Sequence, residues 1–495
     1  MRSLPTPRLS GSLPSRVLGH LGDLNVVEFL LDRRRSQAKD GAISYRLVER
    51  AKTWYGETES STFQVNMAGQ RLVFTKDPAV YKDVLGPRQK HFSNSDAFRK
   101  AFGSIVPASM IVIEGEQWVR VRKVATKAIA MQQIDHLPTD VADTMDKLLR
   151  KLQLESDDPT TGVVTMDTHQ AFPRATFDIF HKVMYKWDPD AVSNHPSSMT
   201  ILNDAMVCAK AISDRILVPM EWFWRLPTAD NKRAAAARDA FRANTHEFIA
   251  ARTSYLNTAD NDQLDTSLLD CMIVAARDGA LTHDELVDQI QTFFFGSFDT
   301  TSHSISLLLS HLAQYPYVQD KLRAALQALF PDGKDSITSL DALDKCVYLD
   351  WVFNETMRLV PHAVGHGRTC IEPCVIQGYS FEKGDEIVVH SSAASLDRAN
   401  YPGQTDLDQY RPDRFGEMAL NKTTTLPFGF GGRMCPGRKI ATGELKAICA
   451  YAVLGWKLSR PANLPFLMDV PVGLGMREGH GVLIWEPLRT PPSSS

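Results

Sequence analysis

The sequence lacks any segment long enough to cross a membrane, because no run reaches the roughly eighteen uninterrupted apolar residues that a spanning helix needs. It also lacks a cluster of basic residues: 55 lysines and arginines face 58 acidic residues, which gives a net charge of −3. A nucleic-acid partner is therefore not expected, since its electrostatic footprint is missing. We expect a monomer whose attachment to a membrane is at most peripheral.

Cysteine is scarce as well. The seven cysteines are an odd number spread over 495 residues, so the chain is not a secreted disulfide scaffold. A reducing, intracellular compartment fits this usage better. Apolar residues make up 43% of the chain and charged residues 23%, which is ordinary for a globular protein with a sizeable core.

The first twenty-one residues carry three arginines, four serines and no acidic residue, which is the composition of an organelle transit peptide. Their prolines would break an amphipathic helix, so a disordered tail is the favoured interpretation of residues 1–41, with a targeting segment as the alternative. Residues 42–487 contain no repeat or long linker and are interpreted as a single domain. Residues 488–495 are expected to be a C-terminal tail.

Hydrophobic periodicity predicts a mainly α fold with a minor β component. Thr62–Thr75 alternates around Gly69-Gln70 and predicts a β-hairpin. Thr282 and Glu285 form a capping box that begins a helix running to Gln314, about 45 Å long. Further helices are predicted at Leu340–Leu359 and from about Gly437 to Leu458.

The segment that carries the most chemistry runs from Phe428 to Gly437 and places Cys435 directly before a predicted helix. A helix N-terminus with unpaired amides favours a thiolate. Gly431 and Gly437 are expected to let the backbone approach a flat, bulky partner, and Arg433 can reach a carboxylate on that partner. A phosphate-binding loop would need a Lys-Ser/Thr pair or a G-x-G-x-x-G register, and neither is present. A buried structural cysteine would not need this arrangement.

This segment fits the pattern F-x-x-G-x-R-x-C-x-G at each fixed position and so resembles the cytochrome P450 family. The resemblance implies the cytochrome P450 fold, with a long central helix over a haem b and a loop that presents the cysteine ligand. It implies that Cys435 holds the iron. Phe428, Arg433 and Gly437 would then be cofactor-binding residues.

Other marks of the family follow in the expected order. Glu355 and Arg358 lie on one face of a predicted helix, and Arg414 resembles the third member of a buried ionic network. Such a network is costly to desolvate, so all three side chains must pair. Its expected role is to lock the core around the cysteine loop.

Three residues resemble the family's ligands of the haem carboxylates. Trp118 and Arg122 would each donate a hydrogen bond to a propionate, and Arg368, ten residues after Arg358, occupies the place of a further arginine. A half-buried surface helix is the alternative for the first two.

The segment Gly296–Thr301 resembles the family's oxygen-activating pattern. Thr300 in mid-helix can turn its hydroxyl onto a carbonyl one turn back and open the helix locally, and Asp299 could relay protons from solvent. Ser297 stands where the family usually has glycine, which should narrow the groove for oxygen. A threonine that caps a kink, with no chemistry, is the alternative.

We expect an apolar substrate pocket. Phe293, Gly296, Ser297 and Thr300 fall on one helix face, so Phe293 would overhang the iron. By resemblance, three segments would line the rest, with Val364 a candidate contact: 102–113, 201–225 and 360–364. His362 and His366 are four apart, but Pro361 and Gly365 interrupt any helix there, so they are interpreted as ordinary residues; Cys370 and Cys374 likewise have poor spacing for zinc.

Three functions remain open at this point. The first is a monooxygenase that uses O2 and electrons from NAD(P)H to hydroxylate or epoxidise a lipophilic small molecule, such as a fatty acyl chain or a terpenoid. The second is a haem-thiolate isomerase or dehydratase that rearranges peroxides without a reductase; the third is a non-catalytic haem-binding sensor. The intact Asp299-Thr300 pair favours the first.

The electrons are expected to come from a separate redox partner, either cytochrome P450 reductase or a ferredoxin. About sixty residues follow Cys435, which would leave no room for a fused reductase domain. Many eukaryotic members carry an N-terminal membrane helix that this sequence lacks. The expected location is therefore the cytoplasm or the periphery of the endoplasmic reticulum membrane.

Overall fold

The computed structural model describes residues 3–9, 43–67, 69–156, 158–217, 220–258, 267–417, 425–469, 475–476 and 479–488. Within these ranges the chain is mostly helical, with small sheets at its periphery. The predicted fold class is confirmed. None of the helices in the described ranges has the length and apolarity that crossing a membrane requires.

The helices that carry the fold are numbered in chain order, and two of them continue into wide π-helical turns at 181–185 and 296–300. They are α1 Ile43–Thr58, α2 Pro78–Leu85, α3 Asp96–Gly103, α4 Gly115–Ala130, α5 Leu137–Leu154, α6 Thr168–Phe180, α7 Pro196–Leu217, α8 Glu221–Trp224, α9 Ala229–Thr258, α10 Leu268–Arg277, α11 His283–Phe295, α12 Thr301–Gln314, α13 Pro316–Leu329, α14 Leu340–Leu343, α15 Val347–Leu359, α16 Ser391–Ser395, α17 Arg414–Glu417 and α18 Arg438–Gly455.

The strands are short and come from both ends of the helical region. They are β1 Thr62–Met67, β2 Gln70–Thr75, β3 Phe92–Asn94, β4 Val164–Asp167, β5 His366–Cys370, β6 Cys374–Ile376, β7 Tyr379–Phe381, β8 Glu386–Val389, β9 Trp456–Ser459, β10 Met468–Asp469, β11 Gly475–Met476 and β12 Val482–Pro487. The largest sheet has the order β1-β2-β8-β5-β3, and a second has the order β4-β12-β9. Only the β2–β8 pair within these two sheets is parallel.

The predicted hairpin is confirmed. β1 and β2 pair antiparallel from Thr62 opposite Thr75 to Met67 opposite Gln70. Asp77 then caps α2 by accepting the N–H of Ala79, as a residue before a helical proline commonly does. Both features depend on residues close together in the chain, which explains why this segment could be predicted from the sequence.

Part of the N-terminal tail lies against this hairpin. Leu4 is buried in the cluster beside the largest sheet, and the Gln64 N–H donates to the Pro5 carbonyl at 2.9 Å. Residues 3–9 therefore lie against the edge strand β1, which offers them a backbone partner. The interpretation of residues 1–41 as a tail stays a prediction. Residues 1–2, 10–42 and 489–495, which contain the rest of both expected tails, lie outside the described residues.

The long central helix is present but is not regular. Thr282 and Glu285 form the predicted capping box, and α11 runs from His283 to Phe295. A π-helical turn at Gly296–Thr300 follows, and α12 continues to Gln314. Almost all of its side chains before and after the turn are buried, so this element passes through the centre of the molecule.

Two predicted helices differ from the observed ones. Leu340–Leu359 is divided into α14 and α15, because the chain turns at residues 344–346 and Lys446 forms ion pairs with both Asp344 and Asp350. The last helix ends at Gly455 rather than Leu458, because the following residues leave it to pair as β9 with β12. Both differences come from contacts distant in sequence.

Candidate active site

The loop before α18 fixes Cys435 by its backbone. The Cys435 N–H donates to the Phe428 carbonyl at 2.8 Å, which closes the loop on itself. Gly431 has φ +72°, and a Cβ there would collide with the Leu85 carbonyl at the end of α2. Gly431 is therefore required by its contact with α2, and its expected approach to a cofactor stays a prediction.

The Cys435 thiol lies in a site that suits a metal-bound sulfur. Burial raises its pKa, while the Gly437 N–H and the charge of Arg122 act in the opposite direction. A protonated thiol is therefore favoured unless a cation is added, and a coordinating metal ion deprotonates a thiol. The described part of the chain contains no group of three or more His, Cys, Asp or Glu side chains that could hold a metal ion by themselves.

Three arginines converge beside this loop. Arg122 donates to the Met434 carbonyl, and Arg433 pairs with the Glu114 carboxylate and lies 4.4 Å from the centre of the Trp118 ring. Burial lowers the pKa of all three guanidinium groups, most strongly that of Arg368, to about 10. Among the described residues only Glu114 supplies a carboxylate to this group, so the cluster is suited to bind further anionic groups.

The predicted ionic network is assembled around Glu355. Arg358 donates to its carboxylate at 2.7 and 2.9 Å, and Arg414 does so at 2.9 and 3.1 Å. All three side chains are fully buried. Other donors of the two arginines reach the backbone carbonyls of Ser395, Asp406 and Gln409. Nη1 of Arg414 also donates to the side chains of Gln404 and Asp406. The network thereby ties α15 to the segment that leads to the Cys435 loop.

A cavity of about 440 Å³ separates the Cys435 loop from the central helix. Its walls contain most of the predicted site residues, namely Trp118, Arg122, Phe293, Gly296, Ser297, Asp299, Thr300, Arg368, Phe428, Arg433, Cys435 and Gly437. Apolar side chains from other elements complete it, among them Phe98, Phe102, Met110, Ile111, Phe180 and Met184.

One expected wall segment and one expected contact residue lie elsewhere. The described residues of 201–225 do not line this cavity; Met206, Ala209, Lys210 and Ser213 of α7 line a smaller one behind the central helix. Val364 packs instead against Val360 and its neighbours. Of the residues 360–364, His362 and Ala363 line the cavity. α7 is drawn away from the cavity because it packs along α9 and α3.

The central helix opens where it faces the cavity. At the π-helical turn the Thr300 hydroxyl donates to the Gly296 carbonyl at 3.1 Å, and the Ser297 hydroxyl donates to the Phe294 carbonyl at 2.7 Å. Ser304 bonds the Thr300 carbonyl in the same way. Short hydroxyl side chains thus satisfy carbonyls that the widened turn releases, as the sequence predicted for Thr300.

The environment of Asp299 was not predicted. His303, one turn later, donates through Nδ1 to the Asp299 carbonyl at 2.7 Å, and the same nitrogen lies 3.8 Å from Oδ1. Nε2 of His362 lies 3.9 Å from Oδ2. The i, i+4 spacing of Asp299 and His303 could have indicated the first contact. No sequence signal relates His362 to either residue, so the interpretation of His362 as ordinary does not describe its place in the site.

A second carboxyl group was also missed. Glu444 of α18 lines the cavity from the Cys435 side, and burial raises its pKa well above the usual range. Its Oε1 is buried without a hydrogen-bond partner among the described residues.

These features fit a haem b. A flat dianionic cofactor needs a deep cavity, cations for its two carboxylates and a soft ligand for its iron. The cavity supplies apolar walls, three largely buried arginines at one rim and the Cys435 sulfur at its floor. The fit rests on the donor set and on the buried cations.

Comparison with known proteins agrees. The family model described as Cytochrome P450 matches residues 44–480. Cytochrome P450 3A29 of Sus scrofa is 27% identical over 389 residues, covering 76% of this chain and 75% of that protein. Cytochrome P450 734A5 of Oryza sativa subsp. japonica is 25% identical over 413 residues, covering 81% and 72%. Probable cytochrome P450 4ac3 of Drosophila melanogaster is 33% identical over a shorter match, 39% of this chain and 37% of that protein.

Members of the matched family are monooxygenases that use haem b, O2 and electrons passed from NAD(P)H by a separate reductase, and that act on lipophilic molecules. The match spans most of the chain and includes every element that surrounds the cavity. The chain therefore belongs to the cytochrome P450 family and is a haem-thiolate monooxygenase.

Proposed function

We propose that this enzyme hydroxylates or epoxidises a lipophilic small molecule of the fatty acyl or terpenoid class in the cavity between Cys435 and Thr300. The observation that carries the proposal is the cavity itself. One wall presents a soft sulfur ligand, the opposite wall presents an acid–alcohol pair, and the space between them is lined mainly by apolar side chains.

On the floor of the cavity, Cys435 is proposed to be the haem ligand. Bound haem b with a cysteinate ligand activates O2, so that one oxygen atom enters the substrate and the other leaves as water. The Gly437 N–H beside the sulfur stabilises its negative charge. Arg122, Arg368 and Arg433, together with Trp118, are proposed to hold the propionates.

On the opposite wall, Asp299 and Thr300 are proposed to supply protons. For hydroxylation, one C–H bond and the O–O bond break, a C–O–H group forms, and water is released; two electrons come from the redox partner and two protons from solvent. The Thr300 hydroxyl lies at the cavity surface and can pass on a proton received from the Asp299 side. At the opened turn, the carbonyls of Phe294 and Thr300 already accept hydrogen bonds from the hydroxyl groups of Ser297 and Ser304. The proton transfer between Asp299 and Thr300 therefore does not have to satisfy these carbonyls.

The substrate class follows from the distal walls. Phe98 and Phe102 of α3 lie with ring centres 4.5 Å apart, and Phe293 continues this aromatic surface from the central helix. Such a surface binds hydrocarbon and excludes water. This aromatic surface favours acyl chains and terpenoids over sugars or peptides.

The redox partner is proposed to approach the Cys435 side of the molecule. Arg438 and Lys439 directly after the loop are exposed, as is Lys123 on α4. These cations would attract an acidic partner protein. Reconstitution with a diflavin cytochrome P450 reductase and, separately, with a ferredoxin pair will show which class supports turnover.

The location is proposed to be intracellular, in the cytoplasm or peripheral to the endoplasmic reticulum membrane. All seven cysteines are free thiols, which agrees with a reducing compartment. Fractionation of cells that express the full chain, with a wash in high salt, will separate the two locations.

The substrate proposal is tested by titrating the purified ferric protein with a panel of fatty acids, terpenoids, sugars and peptides. A ligand that displaces water from the sixth iron position converts the iron to the high-spin state. We expect this conversion with members of the first two classes only. Conversion by a polar class alone would overturn the proposed substrate class.

A further inference from the structure

Asp299 occupies an unusual place in the molecule. Of the described residues, it is the single one that lines both the large cavity and the smaller cavity behind the central helix. Its side chain is 18% exposed. Asp299 is therefore placed to pass a proton from the small cavity toward Thr300.

Two histidines face the two oxygens of this carboxylate. Nδ1 of His303 lies 3.8 Å from Oδ1, and Nε2 of His362 lies 3.9 Å from Oδ2. The two imidazole rings are 5.5 Å apart and tilted by 32°. His303 belongs to the small cavity and His362 to the large one, so the three side chains form a bridge between the cavities.

The orientation of His303 suits proton uptake. Its Nδ1 donates to the Asp299 carbonyl at 2.7 Å, so the neutral ring carries Nε2 as its acceptor. The surrounding backbone makes room for the ring, because a Cβ at Gly475 would collide with it. A second histidine, His169, lies edge-on to His303 with ring centres 5.9 Å apart.

The small cavity connects this group with solvent. It has a volume of about 150 Å³, enough for several water molecules. Met206 and Lys210, on α7, form part of its wall and are themselves exposed. The titratable and charged groups that face His303 from the packed elements are Asp299, His362, His169 and Lys210.

We propose that His303 relays protons from the water of the small cavity to Asp299, and that His362 positions the second oxygen of Asp299 toward the large cavity. The His303 ring takes a proton from water at Nε2 and gives the one on Nδ1 to Oδ1, across a gap that one water or a small rotation spans. Asp299 then replaces the proton that Thr300 has passed on. This inference rests on the proposed role of the Asp299-Thr300 pair.

The central test is His303→Gln, which keeps the length of the side chain and an N–H donor but removes the titratable ring. We expect the share of electrons lost as hydrogen peroxide to rise about tenfold. This effect is smaller than the 10²-fold or larger effect of losing a direct proton donor, because water can replace part of the relay. The solvent deuterium isotope effect on product formation should rise as well.

A matched control is His311→Gln on the same helix. Nδ1 of His311 is bonded to the Leu307 carbonyl four residues back, as His303 is to Asp299, but its ring lies against Tyr410 and Phe466. The control should leave the peroxide share and the isotope effect unchanged. An equal change in both variants would mean that the His303 effect is one of helix packing, which would overturn the relay.

A second variant tests the role of the small cavity without substituting a histidine. Ala209→Leu adds three carbon atoms to the wall of the small cavity. We expect it to increase peroxide release in the same direction as His303→Gln. A crystal structure supplies a readout independent of turnover: ordered water within hydrogen-bonding distance of His303 in the native protein, and its loss in Ala209→Leu. A dry small cavity in the native protein would overturn the proposal.

Failure of the relay is distinguishable from failure of the proposed function. If Asp299→Asn increases peroxide release and His303→Gln does not, the acid–alcohol pair works without the relay and the inference is wrong. If neither variant changes the partition of electrons, the proton role of the pair is itself wrong.

Discussion

The two walls of the haem cavity are built in opposite ways. The Cys435 wall is fixed by a backbone bond within its loop and by the fully buried charges of Glu355, Arg358 and Arg414. The opposite wall is a helix whose regular bonding is opened over one π-helical turn and repaired by the hydroxyl groups of Ser297 and Thr300.

The difference reflects two requirements. A metal ligand must be held in one place, and a buried ionic network with many fixed partners does this at the cost of desolvation. The proposed proton path instead needs groups that can exchange hydrogen bonds, and a widened helical turn with hydroxyl and carboxyl side chains contains such groups. The rigid ionic network thus lies on the Cys435 side of the cavity, and the groups that can exchange hydrogen bonds lie on the opposite side.

The largest effect should come from breaking the rigid wall. In Glu355→Gln, the buried Arg358 loses its carboxylate partner and the buried Arg414 keeps only Asp406, so we expect a loss of about 3–5 kcal/mol in the free energy of unfolding. Urea titration measures it. Asp230→Asn is the control, since Asp230 forms an exposed pair with Arg233 and should cost less than about 1 kcal/mol. Equal losses would show that the network does not stabilise this wall.

The next effect concerns the exchanging wall. Asp299→Asn should lower the rate of product formation roughly 10²-fold, because the carboxyl no longer donates protons. Thr300→Ala should leave O2 consumption but divert electrons to hydrogen peroxide, which a peroxide isomerase or a sensor would not release. Thr245→Ala is the matched control: its hydroxyl makes the same bond to a carbonyl four residues back, away from the cavity. A rate of product formation in Asp299→Asn equal to that of the native protein would contradict the proposed role of Asp299 as a proton donor.

The smallest effect should come from Ser297→Gly, which restores the residue usual in the family. The variant loses the hydroxyl that satisfies the Phe294 carbonyl and gains backbone freedom, so we expect a loss of about 1 kcal/mol in the free energy of unfolding. Ser297→Ala separates the two contributions, since it loses only the hydroxyl. Greater stability of the glycine variant would mean that Ser297 strains the turn.

Local signals in the sequence predicted much of the fold. The β1–β2 hairpin, the Asp77 cap and the capping box of Thr282 and Glu285 each depend on residues within a few positions of one another. The Cys435 loop was recognised for the same reason, because its pattern spans ten residues. Glu355 and Arg358 were placed together by their helical spacing, and Arg414 was added to them only through the family resemblance.

The rest depends on contacts distant in sequence. α18 stops at Gly455 because β9 pairs with β12, and the wall formed by α7 belongs to the small cavity because that helix packs on α9 and α3. His362 contacts Asp299 from a segment that is distant in sequence. Because Pro361 interrupts any helix there, the sequence did not indicate this contact. Periodicity in the sequence reports the faces of an element but not its neighbours in space.

The central claim is that the sulfur of Cys435 binds the haem iron. The absorption spectrum of the reduced, carbon-monoxide-treated protein tests it, because a thiolate ligand moves the Soret band to a longer wavelength than any neutral ligand does. We predict the long-wavelength band in the native protein and its loss in Cys435→Ser. A native protein without that band, or a Cys435→Ser variant that keeps it, would contradict the account.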